Sequence, residues 1–208
     1  MTGASQYAAN LFGRWITGQH ELPAAVPTVW MALFTTLPDD TDAGGVEVAG
    51  NGYARVQVAG QLVTTADAIQ TPVLTFGNVP AWVLPSMSVA DLTNPEAFLM
   101  TGEVLSTTAN TVTLAANPDG SILQGDTLTF SVFGDPSGED PLNFINNVAI
   151  ACGTATGAGW GTVIGFALFD DPTAGDLLAA DYLAGGPVVV PGGQVVTFSA
   201  GSITIGVV

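Results

Sequence analysis

The sequence predicts a mainly β chain: a jelly-roll-like β-sandwich with one N-terminal helix and a small inserted β-barrel domain. Three observations carry this. Short β-branched and aromatic runs recur from Pro27 onward, separated by Gly pairs and Pro-Gly steps that suit turns. Helical periodicity is confined to the first residues. The middle of the chain, from about Pro80 to Pro136, has a strand-turn-strand rhythm of its own, and the linker GDPSGEDPLN (Gly134 to Asn143) marks its end.

In chain order, Ser5 is placed to cap a helix in which Tyr7, Leu11 and Trp15 form one stripe, and Gly18 is a natural stop. That stripe is the candidate interface. TVWMALFTT (Thr28 to Thr36) reads as the first strand, followed by the loop LPDDTDAGG and by VEVAGNGYARVQVAG, which turns at Gly50-Asn51-Gly52. GEVLST, TVTLAA and DTLTFSVFG supply the strands of the insert. Further strands follow in NFINNVAIACGT, GWGTVIGFALFDD and the closing segment. The expected division is residues 1–80 plus 137–208 as an attachment domain and 81–136 as the insert, placed where loop tips tolerate insertions. ALF recurs before a Pro/Asp/Gly loop in WMALFTTLPDDTDAGG and GFALFDDPTAGDLL, which suggests two equivalent strands with loops at the same end.

Composition narrows the partners. The net charge of -16 arises from 18 acidic residues against two arginines, with no lysine, in a chain only 10% charged. Phosphate-directed binding of DNA or RNA needs clustered cations, so no nucleic acid is expected as partner, and no anionic membrane surface. No apolar run approaches the roughly 18 residues of a membrane span, and no signal peptide is evident at the N-terminus. The lone Cys152 in VAIAC reads as a small buried hydrophobe.

Asp39, Asp40 and Asp42 match only the first half of a calcium loop, and Glu47 comes too early to complete it. A glycosidase needs two carboxylates at a set separation, and nothing selects a pair among 18 acids. His20 is the single histidine and no serine lies in a Gly-x-Ser-x-Gly elbow. The Gly-rich GTATGAGWG lacks a P-loop lysine. Trp30, Trp82 and Trp160 fit packing better than a sugar-stacking face. The expectation is therefore no enzyme, no catalytic residue, no cofactor and no metal.

The run Glu47, Val48, Gly50, Gly52, Tyr53, Arg55 after an ALFTT strand resembles a signature of small β-rich phage virion proteins of the tail-fibre and head-decoration type. A later Ala-x-x-x-Trp-Gly-x-Val block, matched by Thr156 to Val163, then Phe169-Asp170 and Gly175 to Leu178, is similar to the same family, as is the last hairpin ending in SAGSITI. The resemblance covers roughly residues 5–80 and 143–208. It implies a structural virion component, decorating or stabilising a capsid or forming a fibre-type appendage, assembled in the host cytoplasm. The implied partners are other copies of the chain, as a homo-oligomer and in first place a trimer, and other virion proteins such as capsid or tail proteins. A carbohydrate-binding host-adhesion module, with a host surface glycan as partner, is the alternative.

Arg55 has a separate expectation. Alternation puts Tyr53, Arg55 and Gln57 on one strand face, within reach of Glu47 across the Gly50–Gly52 turn. A structural ion pair of Glu47 with Arg55 is expected in place of an active site.

Overall fold

The computed structural model describes residues 28–93, 100–118, 120–134 and 142–207, with positions 5, 6, 8, 9 and 17 besides. Within them the chain is mainly β and is built from several sheets. The strands are β1 (Val29–Thr36), β2 (Val46–Glu47), β3 (Val56–Val63), β4 (Val73–Thr75), β5 (Ser88–Asp91), β6 (Met100–Thr107), β7 (Thr111–Leu114) and β8 (Thr127–Ser131) in the first part. The second part holds β9 (Leu142–Ile145), β10 (Ile150–Thr154), β11 (Gly161–Val163), β12 (Gly165–Phe169), β13 (Leu177–Tyr182), β14 (Val188–Val190), β15 (Val195–Phe198) and β16 (Thr204–Val207).

One large sheet runs in the order β13-β12-β1-β3-β8-β5-β6-β7-β4, with β2 joined to β1. Three small pairs, β10 with β15, β11 with β14 and β9 with β16, complete the described strands. The large sheet runs from β13 to β4 and no described sheet closes into a barrel, although an isolated antiparallel bridge of Thr64 with Phe76 links the ends of β3 and β4. This corrects the expected small β-barrel in residues 81–136. The reason is edge use: β8 pairs β3 from Ala59 to Val63 on one side and β5 from Ser88 to Asp91 on the other. With one edge given to β3, which lies outside residues 81–136, β8 does not close a barrel with the strands of that segment alone.

The expected N-terminal helix is not supported, and most of its residues lie outside the described ones. Helical conformation among the described residues is limited to Gln6, Ala8 and Ala9. Ser5 does open a turn, its Oγ accepting from the Ala8 N–H at 3.2 Å. However, the Ser5 N–H also donates to the Leu178 carbonyl at 2.9 Å and its hydroxyl donates to the Leu177 carbonyl. Ser5 is thereby tied to the edge of the sheet. Tyr7, Leu11 and Trp15, the candidate interface, lie outside the described residues.

Burial explains why some strands alternate and others do not. β8 reads TLTFS, with Leu128 and Phe130 buried and the residues between them partly exposed, the period of a half-covered strand. β12 reads GFALF and is buried throughout; β1 has four successive buried residues, Met31 to Phe34. Both are covered on two faces, which produces continuous apolar runs. Met31, Leu33, Phe166 and Leu168 face the main core, whereas Ala32, Phe34, Ala167, Phe169 and Leu177 form a second, smaller cluster with Leu37 and Ala180 against it.

β1 and β12 are antiparallel neighbours with Ala32 opposite Ala167. The two ALF runs therefore meet, but antiparallel pairing sends their loops away from opposite ends, a correction to the expected common end. The small alanines leave room above them, and the Phe34 and Phe169 rings lean together to 6.1 Å between centroids.

The main core crosses the expected division at residues 80 and 81. Phe130 is fully buried and meets Phe76 and Trp82 edge-on, at 5.8 and 6.5 Å. Gly60 of β3 makes room for this, since a Cβ there would stand 3.0 Å from the Trp82 ring and 2.4 Å from Gln57 Nε2. The same cluster continues through Val148, Ile150, Cys152 and Trp160 to Val190 and Ile203. Replacing Phe130 with Ala is expected to cost about 3–5 kcal/mol. Because the main core draws residues from both sides of that division, denaturant curves followed by Trp fluorescence and by far-UV circular dichroism should shift together; a shift in one signal alone would contradict that shared core.

Candidate functional site

The stretch from Val48 to Arg55 leaves the sheet between β2 and β3. Three successive residues, Gly50, Asn51 and Gly52, take positive φ values of 69°, 49° and 77°. Glycine and asparagine adopt that region at least cost, which explains the local composition. The Tyr53 N–H closes the turn on the Gly50 carbonyl at 2.9 Å. Tyr53 and Arg55 thus precede β3, and the turn rather than strand alternation points them inward.

Arg55 and Glu47 are brought together. Nε of Arg55 donates to Glu47 Oε1 at 3.0 Å, and Nη2 donates to Oε2 at 2.8 Å. Nη1 donates to the carbonyls of Asp171 and Ala174, at 2.9 and 2.7 Å. The guanidinium carbon lies 3.9 Å from the centre of the Phe169 ring. The side chain is only 7% exposed, against 27% for Glu47. Forked geometry, carbonyl acceptors and an aromatic face together meet the requirements of a desolvated guanidinium.

Tyr53 completes the arrangement. Its hydroxyl donates to Glu47 Oε1 at 2.9 Å and accepts from the Leu33 N–H at 2.8 Å. Burial, foremost, and the neighbouring Glu47 charge hold the phenol well above its ordinary pKa, so it stays a neutral donor. The ring meets Trp160 edge-on at 5.5 Å.

Two further loops close on this turn. Asn51 Nδ2 donates to the Gly159 carbonyl at 2.7 Å, while the Asn51 carbonyl accepts from Thr156 N–H at 2.8 Å and Trp160 Nε1 at 3.1 Å. Gly159 has φ of 85°, and a Cβ there would stand 2.2 Å from the Val190 carbonyl oxygen. No side chain fits, so the glycine-rich loop is a packing device. The Asp171 loop is held by its own carboxylate, whose Oδ1 accepts from Thr173 N and Ala174 N, both at 2.9 Å. Those backbone hydrogen bonds lower the Asp171 pKa. Asp39 does the same for the first acidic loop, accepting from Thr41 Oγ1 at 2.6 Å, Thr41 N and Ala43 N; these bonds lower its pKa in turn.

The site is thus a joint between three segments, around 47–55, 156–160 and 169–174. The sequence points to Glu47, Arg55 and Tyr53, and to Asn51 only as a turn residue and Phe169 only within the family resemblance; it gives no sign of the two carbonyls, because backbone acceptors leave no residue-type signal. Of the remaining residues singled out for chemistry, Cys152, Trp30, Trp82 and Trp160 are covered at least in part. Cys152 is buried, and desolvation pushes its thiol up to about 12, leaving it protonated at neutral pH. No group of three or more His, Cys, Asp or Glu suited to a metal occurs among the described residues. Trp160 is 5% exposed, while Trp30 and Trp82 are partly buried.

Removing one partner of a buried, hydrogen-bonded pair strands the other charge. Arg55→Ala should therefore lower unfolding free energy by about 3–5 kcal/mol, and Arg55→Lys should recover only part of it for want of the fork. Chemical denaturation measures both; wild-type midpoints in either variant would contradict the role. Tyr53→Phe leaves the Leu33 N–H without its acceptor, with an expected loss of about 1–3 kcal/mol. Thermal melts and amide exchange at Leu33 read this out, and an unchanged exchange rate there would disprove it.

The three joined segments are those on which the virion-protein resemblance rests. The sequence matches the family model described as "Podophage GP4 fiber I protein gp80" over residues 3–133 and 129–206. No curated protein sequence matches it significantly. Since the matched segments span nearly the whole chain, the protein belongs to the family of podophage GP4 fiber I protein gp80, a family of phage fibre structural proteins.

Proposed function

We propose that the protein is a non-enzymatic structural component of a phage virion, forming a fibre-type appendage as a homo-oligomer of three copies. The single observation that carries this is the family match over residues 3–133 and 129–206. The chemistry of the joint supports it. Its one cation, its carboxylate and its phenol are all engaged with one another or with backbone, so they brace loops and present no reacting group to solvent. Between decorating a capsid and building a fibre, the family description favours the fibre.

Contacts with other virion proteins are assigned to the N-terminal segment, with Tyr7, Leu11 and Trp15 as the anchoring apolar side chains. Residues 81–136 are assigned the outward-facing role, as a division of labour within one sheet. Assembly takes place in the host cytoplasm. Oligomer contacts suit the composition: a chain with positive mean hydropathy and only 10% charged residues gains by covering apolar surface.

Two measurements test the proposal. Light scattering of the purified protein should give three times the 21.0 kDa chain mass. Gold-labelled antibody in electron microscopy should mark fibres on intact virions. A monomer that is absent from particles would overturn the reading, and labelling over the capsid faces would replace the fibre with a decoration role.

A further inference from the structure

A groove of about 440 Å³ opens between the end of β13 with its following loop and the outer edge of β15. Its volume lies in the range of small-ligand sites, roughly 300–1,000 Å³. Val163 and Phe166 form a buried floor, and Phe198 meets Phe166 edge-on at 5.6 Å. The walls differ in character from the floor. Asp181 and Tyr182 stand on one side, with Gln194 and the hydroxyls of Thr197 and Ser199 on the other.

Tyr182 is 65% exposed and is the only aromatic among the exposed large hydrophobic side chains described. The tryptophans that sequence reading considered for stacking on sugars are at least partly buried, so this ring is the accessible one. Beside it, Asp181 Oδ1 accepts from the Tyr182 N–H at 2.7 Å, which orients the carboxylate. Its second oxygen makes no hydrogen bond to the described residues.

We propose that this groove is a binding site for a neutral saccharide. The Tyr182 ring offers an apolar face to the C–H side of a pyranose, as aromatic rings do where one side of a ligand is apolar and its edge is polar. Asp181 and Gln194 then receive and donate hydrogen bonds at the hydroxyl rim. Charge decides between occupants. The groove has one carboxylate and no cation, on a chain of net charge -16, so anionic sugars and nucleotides are repelled. A neutral polyhydroxylated ligand does not meet that repulsion. Saccharide binding at this groove goes beyond fibre assembly.

Saturation-transfer NMR and titration calorimetry on the full-length protein provide the test, with maltotriose, cellotriose and triacetylchitotriose as neutral probes and sialyllactose as the anionic control. At least one neutral trisaccharide should bind and the anionic control should not. Tyr182→Ala, an exposed substitution, should weaken binding about tenfold, and Asp181→Asn should weaken it without altering the melting curve. The proposal is overturned if no neutral trisaccharide binds, or if Tyr182→Ala binds as well as wild type. A Tyr182→Ala variant that changes only the oligomer mass would instead assign the groove to a contact between chains. Virions carrying Tyr182→Ala should still bear fibres, which separates failure of this site from failure of the structural role.

Discussion

The buried guanidinium of Arg55 is the constraint on which much of the structure depends. Placing it at 7% exposure is unfavourable unless its donors are satisfied together. Its partners come from separate parts of the chain: the Glu47 carboxylate from β2, carbonyls from the loop after β12, and the Phe169 ring from β12 itself. Each must therefore be in place at once. Through Tyr53, the same carboxylate is linked to the β1 backbone at Leu33, where the hydroxyl fills an acceptor role that a neighbouring strand would otherwise supply.

This coupling explains features that look unrelated along the sequence. The Asp171 carboxylate never touches Arg55, yet it folds the turn whose carbonyls face the guanidinium. Ala32 and Ala167 are small, so Phe169 can lean towards Phe34 and offer its face to the cation. Gly159 has no side chain, so the loop carrying Trp160 can close on Asn51 and support the Tyr53 ring. A residue conspicuous for its chemistry and glycines conspicuous for their absence of it serve one joint.

How much was legible in the sequence follows from the physics of each feature. Strands β7 and β8 were readable because one of their faces is covered, which writes a two-residue period into TVTL and TLTF. The Gly50-Asn51-Gly52 turn was readable because only certain residues tolerate positive φ. The open course of the large sheet was not, since nothing in DTLTFS states that β8 will give one edge to β3 and the other to β5. Pairing is a property of two distant segments, and each segment is compatible with a barrel or a sheet. The Arg55 acceptors Asp171 and Ala174 were invisible for a similar reason: every residue has a carbonyl, and only the fold selects two of them.

The shortage of cations gives the joint its selectivity from an unexpected side. With 18 acids and two arginines, carboxylates are abundant and opposite charge alone cannot determine which one Arg55 chooses. Of these acids, Asp39 and Asp171 accept from their own loops' backbone N–H groups. Glu47 alone among them is reached by the fork of Nε and Nη2 while Tyr53 holds its Oε1. Lysine would supply the charge without the fork, the ring contact or the paired carbonyl donors. The choice of arginine, at a position where any cation would be attracted, is thus explained by geometry, and it turns a weakly specific attraction into a contact that fixes three loops.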